Sequence, residues 1–250
     1  MIGTSDIAIV VPSRRRAACI PRIREILPSA YFYVDEREAD DYKDAGDKLV
    51  LHSPTNYLAD VRNLLIEHFQ EKVIVQIDDD LTGIVQLPKG RKLTNPESIF
   101  SVIYNAAVIS EDMDVGVFCW NRNASPMHFN DFDPIALSTG FVSSSFGVRG
   151  EARHRLHSSE FAGLEDMDFT MQAYLLDRIM FCDKRFYFDH GKVFGQHGGA
   201  VGITDKNRYE TSLDNLQSRW GAYVNHTYGK RGNDSKLSVH MKIPRKYGDL

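Results

Sequence analysis

Residues 71–85 read EKVIVQIDDDLTGIV. Val73, Ile74, Val75 and Ile77, interrupted by Gln76 alone, run without a turn residue into Asp78, Asp79 and Asp80. A short apolar run of this kind is expected to be a buried strand. Three carboxylates at its end repel one another and raise each other's pKa unless a cation offsets them. A hard divalent ion such as Mg²⁺ or Mn²⁺ takes carboxylate oxygens and bridges to substrate phosphates. The alternative is a helix N-cap or a solvated acidic turn.

The flanking sequence alternates strand with helix. DIAIVVPS opens with apolar residues stopped by Pro12, a strand running into a loop, and CIPRIREILPSA reads as a short helix. AYFYVDE and DKLVLHSP read as strands, and NYLADVRNLLIEHFQ as an amphipathic helix with Tyr57, Val61, Leu64 and Leu65 at helical spacing. After the acidic run come a helix over NPESIFSVIYNAAVISEDM, strands over DVGVFCW and GFVSSSFGVRG, and a helix over EDMDFTMQAYLLDR with acids in its first turn. This alternation predicts an α/β fold with a mainly parallel sheet, whose ligands bind at the carboxyl ends of the strands where strand order reverses. Beyond residue 190 the pattern loosens into Gly, His and basic residues.

With 250 residues, 42% hydrophobic and 26% charged, the chain has the composition of one globular domain. Two halves are expected within it, about 1–110 and about 111–250, the second ending in a basic region. No apolar run approaches the length of a membrane span and no signal peptide opens the sequence, so a cytoplasmic location without membrane contact is expected. Cys19, Cys119 and Cys182 are odd in number and widely spaced, which argues against a disulfide framework or a structural zinc. Charge is unevenly spread: residues 1–183 carry 18 Lys+Arg against 28 Asp+Glu, and residues 184–250 carry 12 against 6. A basic C-terminal region on an acidic body suits an anionic partner, the alternative being a solvated tail.

Four landmarks, IAIVVPSRRRA, ADVRN with Arg62 sixteen residues before Asp78, VQIDDD, and GLEDMDFTMQAYL, occur in an order that resembles the GT-A glycosyltransferases. The VPSR opening, the short distance from RN to DDD and the tail QHGGAVGITDKNRYETSLDNLQSRWG are similar to the TET/JBP-associated glycosyltransferases of phage type. SRRRA departs from that pattern by an arginine where SRGRA has glycine. The likeness implies a GT-A-like, Rossmann-type mixed, mainly parallel sheet flanked by helices, with about 1–110 binding the nucleotide sugar and about 111–250 the acceptor. It also implies a sugar donor of the UDP-glucose kind, a Mn²⁺ or Mg²⁺ cofactor, and DNA containing a 5-hydroxymethylpyrimidine such as 5-hydroxymethyluracil as acceptor. In that pattern Asp78 and Asp80 are the D-x-D pair: Asp80 holds the metal, Asp78 the metal or the ribose, with Asp79 between them. His197 would join the metal. Pro12, Ser13 and Arg14 would surround the nucleotide base. Arg62, with Asn63 beside it, would contact the nucleotide, the alternative being an ion pair from Arg62 to one of the aspartates.

Glycosyl transfer also needs a group to take the proton of the attacking hydroxyl, and Glu165, Asp166 and Asp168 offer carboxylates for it. The likeness points to Asp166, whereas acids at a helix start also serve as plain caps. A retaining mechanism would not need such a base, and the sequence leaves the stereochemistry open. Two other functions compete with DNA glycosylation. The first is transfer to a polysaccharide, lipid or protein. The second is a non-catalytic nucleic-acid-binding module, which leaves ADVRN, DDD and EDMD without a shared purpose. The chain has no GxxxxGK[ST] loop, no GxGxxG after its first strand, no HExxH and no GxSxG.

Overall fold

The computed structural model describes residues 1–125, 129–191, 206–231 and 234–241. Strands β1 (Ile7–Ser13), β2 (Tyr31–Asp35), β3 (Leu49–His52) and β4 (Val73–Ile77) come first, with helices α1 (Ile20–Ile26) and α2 (Leu58–His68) between them. Then follow β5 (Gly83–Gln86), β6 (Arg91–Leu93), α3 (Pro96–Asp112), β7 (Val117–Asn121), β8 (Ile135–Ala136), β9 (Ser145–Arg149), α4 (Glu165–Leu176) and β10 (Phe181–Asp189). Helix α5 (Lys206–Trp220) and the hairpin β11 (Val224–Arg231) with β12 (Asp234–Met241) close the described chain.

One sheet has the order β3-β2-β1-β4-β9-β7-β10-β5-β6, with β8 on β10. Strands β3, β2, β1 and β4 are parallel, and β9 is inserted antiparallel between β4 and β7. The alternation expected of a buried strand is visible in β1. Ile7, Ile9 and Val11 face a core that includes Ile23 of α1 and Ile103 of α3, while Ala8 and Val10 face one that includes Leu65 of α2 and Phe169 of α4. The sheet is therefore covered by helices on both faces, as an α/β architecture requires. A smaller cluster of Phe161, Leu164, Leu213, Leu216 and Val224 seats α5 at one end.

Two backbone details matter for the site. The chain leaves β1 through Arg15, whose φ of 54° lies in the left-handed region and whose amide donates to Glu38 at 2.6 Å. Glycine is the residue that adopts such a φ without penalty. In β9, Gly147 lies opposite Phe118, and a Cβ built on it would come within 2.1 Å of that ring.

Candidate active site

The chain passes from β1 through α1 to β2 on one side, then crosses back through α2 to β4 on the other. The gap between the β1 and β4 ends is thus the switch point at which an α/β sheet binds ligands. A cleft of about 320 Å³ opens there, with the loop after β1 on one wall and the acidic run on its floor. The start of α2 and the start of α4 complete it.

The three aspartates have three different surroundings. Asp79 is buried and internally satisfied: Ser13 Oγ donates to it at 2.6 Å and Arg16 Nη1 at 2.7 Å, while Arg22 donates to its carbonyl at 3.0 Å. Ser13 is in turn 2.7 Å from the Tyr42 hydroxyl, which accepts from the Arg16 amide at 2.9 Å. Asp78 is fixed through its amide, which donates to the Ser144 carbonyl at 2.8 Å, and its carboxylate opens on the cleft 3.6 Å from Arg62 Nη2. Burial pushes the Asp78 pKa up to about 6, opposed by Arg62 and His190 and aided by Asp80 and Asp79. Asp80 has Oδ1 2.8 Å from His190 Nδ1 and Oδ2 3.7 Å from Arg16 Nη1, and His190 Nε2 lies 2.9 Å from Ser145 Oγ.

Arg62 sits on α2 with its side chain 4% exposed. Its Nε and Nη1 have no hydrogen-bond partner, and its guanidinium lies 5.4 Å from the Phe146 ring centre. Those two donors are themselves closed off from solvent, and it is Nη2, beside Asp78, that is placed to meet an anion in the cleft. Asn63, next in sequence, points elsewhere: it makes two 2.8 Å hydrogen bonds with the backbone of His157. The buried His157 ring stacks on Phe169 at 4.2 Å, and burial, with Arg62 nearby, holds its pKa well below the ordinary value, so it is neutral. Asn63 thereby fixes an uncharged ring behind Arg62 and does not line the cleft.

The α4 acids also divide. Glu165 and Asp166 line the cleft, whereas Asp168 is fully buried and accepts from Gln172 at 2.7 Å and Trp220 Nε1 at 2.9 Å, with Arg219 3.4 Å away. Glu165 accepts from the Gly163 amide at 2.7 Å as a cap does. Asp166 accepts from the Met167 amide at 2.8 Å, and burial together with Glu165 pushes its pKa up to about 7. Pro12, Ser13, Arg14, Arg62, Asp78, Asp79, Asp80, Glu165 and Asp166 therefore share one cleft. His197 lies outside the described residues. The sequence reading passed over Arg16, Asp35 and His190, all of which line the same cleft. Asp35 ends β2 with its pKa held well below the ordinary range by the Arg37 side chain.

The carboxyl side of the sheet fits a divalent ion in part. Asp80 Oδ1 and His190 Nδ1 are hydrogen-bonded at 2.8 Å, a contact that would have to open for both to take one cation, and Asp78 is a desolvated carboxylate whose ionised form a cation would favour. Among the described residues no three His, Cys, Asp or Glu side chains already converge as a complete cage. An ion of the Mg²⁺ type commonly completes its shell with water and substrate phosphate.

No family model matches the chain, and no curated protein matches it in sequence. Solved structures do match in fold. A mannosyltransferase from Pyrobaculum calidifontis, in complex with GDP-mannose and Mn²⁺, aligns with a TM-score of 0.50 at 11% identity, over 87% of this chain and 75% of that one. Glucosyl-3-phosphoglycerate synthase from Mycobacterium tuberculosis, in complex with Mn²⁺, UDP-glucose and phosphoglyceric acid, aligns with a TM-score of 0.51 at 11% identity, over 88% and 83%. A mycobacterial protein aligns with a TM-score of 0.52 at 9% identity, over 94% and 83%. At such identities the likeness establishes the fold: a GT-A-like mixed sheet, mainly parallel, flanked by helices.

Proposed function

We propose that the protein is a metal-dependent glycosyltransferase that moves a sugar from a nucleotide sugar, of the UDP-glucose kind, to an acceptor hydroxyl. The observation that carries this reading is the convergence in one cleft of the buried, underused Arg62 guanidinium, the Asp78 and Asp80 carboxylates and the Asp166 carboxylate. Asp80, with Asp78 and His190 beside it, would hold a Mn²⁺ or Mg²⁺ ion, which supplies positive charge where the leaving diphosphate becomes more negative. Arg62 would bind the same diphosphate through Nη2, the nitrogen 3.6 Å from Asp78. Pro12 and Arg14 wall the nucleotide, while Ser13 contributes by holding Asp79 in place.

Asp166 takes the proton of the acceptor hydroxyl as that oxygen attacks the anomeric carbon. A carboxylate raised to about 7 is matched to this task near neutral pH, because it is a far stronger base than an ordinary aspartate. A base in this position goes with inversion at the anomeric carbon. Glu165 keeps the Asp166 pKa high and caps the helix start.

For the acceptor, the reading is a 5-hydroxymethylpyrimidine in DNA. It rests on the likeness of the VPSR, RN and DDD landmarks and on the six-charge basic excess of residues 184–250. The side chains of Lys230, Arg231, Lys236, Lys242, Arg245 and Lys246 lie outside those described. A second reading, a small anionic acceptor, has one observation behind it. Arg122, after β7 on the same edge of the sheet, is exposed, stacks 3.8 Å over Phe141 and is close enough to help lower the Asp166 pKa. The test is to incubate the protein with Mn²⁺ and a panel of nucleotide sugars, using DNA that contains 5-hydroxymethyluracil or 5-hydroxymethylcytosine, then weigh the nucleosides. A hexose-sized mass gain is expected. Donor hydrolysis without DNA modification would move the acceptor to another class, and no donor turnover at all would leave the nucleic-acid-binding module.

A further inference from the structure

Of the three consecutive arginines after β1, Arg16 turns inward. The left-handed backbone at Arg15 reverses the chain, and the Arg16 side chain lies 14% exposed against the acidic run, whereas Arg14 reaches outward toward Glu38 and the Asn56 carbonyl. Arg16 is held at both ends: its amide donates to Tyr42, and its guanidinium donates to Asp79. Asp79 is itself gripped by Ser13 and Arg22. A cation restrained in this way undergoes no reorganisation when charge develops nearby. On the opposite side of the loop Arg62 stands 3.6 Å from Asp78, as Arg16 stands 3.7 Å from Asp80. Two guanidiniums thus flank the floor on which a diphosphate with its metal would rest.

Resting on the glycosyltransferase reading, we propose that Arg16 is a second, protein-supplied cation for the leaving diphosphate, with Asp79 as the positioning residue that aims it. Arg16 then has opposite effects on the two ligands. It attracts the diphosphate and repels a bare metal ion at Asp80, so removing it should weaken one and not the other. A merely structural arginine would weaken both together.

The experiment titrates Arg16→Ala and Arg16→Lys with Mn²⁺ alone, followed by water-proton relaxation, and with uridine diphosphate at saturating Mn²⁺, followed by calorimetry. Arg16→Ala is expected to weaken uridine diphosphate by roughly 10- to 100-fold, the range for a lost charge-assisted hydrogen bond. Its Mn²⁺ affinity should be unchanged or higher, and Arg16→Lys should recover part of the loss. Asp79→Asn, which keeps the shape and removes the charge, should also weaken the diphosphate, and the Arg16→Ala/Asp79→Asn double variant should lose little more than Arg16→Ala alone. Wild-type diphosphate affinity in Arg16→Ala would overturn the inference, as would a parallel loss of Mn²⁺ and diphosphate with a lowered melting temperature. If the wild-type protein with Mn²⁺ binds neither uridine nor guanosine diphosphate, the glycosyltransferase reading itself falls, and this inference with it.

Discussion

Asp166 and Asp168 are two residues apart, yet one faces the cleft and the other the protein interior. Asp166→Asn is expected to lower kcat by ~10²–10⁴-fold while donor affinity hardly moves, which steady-state kinetics with donor calorimetry would check. In the wild type, kcat/KM should fall with unit slope as pH drops below about 7, and Asp166→Asn should lose that limb. Stability follows the opposite sense. The folded-state pKa lies above the unfolded value, so the folded protein holds a proton that the unfolded chain gives up near pH 4, and this advantage is lost as pH rises to about 7. Asp166→Asn should therefore melt higher than the wild type at pH 8, with the gain vanishing toward pH 4. At Arg15 the left-handed backbone predicts that Arg15→Gly gains roughly 0.5–1 kcal/mol in a thermal melt. The acidic trio was legible because an uninterrupted strand runs into it. His190 and Arg16 were not, since each acquires its meaning from a partner that folding brings from 110 and 63 residues away.

Among the elements, the strands with short apolar runs, the amphipathic helices α2 and α3, and α4 with the acids of its first turn could be read directly. The short β5 and β6, the long β10 and helix α5 could not. Helix α5 docks through two leucines, Leu213 and Leu216, and through Trp220 on Asp168, in a stretch that is otherwise polar and so does not stand out as a core helix. The direction of β9 was also hidden, since a buried strand has the same composition whichever way it runs. Asp168→Asn leaves Arg219 without its anionic partner and weakens the anchor of α5, so a loss of about 1–3 kcal/mol is expected. Hydrogen exchange should quicken over 210–220, while the acid limb near pH 7 stays. In β9, Gly147→Ala forces a methyl group into the Phe118 ring and should cost roughly 1–3 kcal/mol in denaturant unfolding.

Over the whole molecule, the α/β class and its carboxyl-edge cleft were legible from the order of elements, whereas the acceptor depends on charge that composition counts but does not place. Among the described residues no helix is long and apolar enough to cross a membrane. If the basic C-terminal region carries DNA, log affinity should fall against log salt with a slope of roughly −0.9 per phosphate neutralised. Replacing Lys230, Arg231, Arg245 and Lys246 by alanine should flatten that slope and leave donor affinity unchanged. Wild-type DNA affinity in that variant at low salt would make the region a solvated surface. The antiparallel strand between β4 and β7 has a consequence for how the chain is made. β4 meets its partner β9 only after the 68 residues from Ile77 to Ser145 have been added. At ~5–20 residues per second the ribosome needs roughly 3–14 s for that stretch. Throughout this interval the nascent chain carries VIVQI with one side unpartnered, the kind of edge that recruits neighbouring chains. Glu71 and Lys72 stand at one end of it and Asp78–Asp80 at the other. Charges that flank a hydrophobic strand in this way disfavour its pairing with other chains, so the acidic trio bears on the emerging polypeptide as well as on the folded cleft.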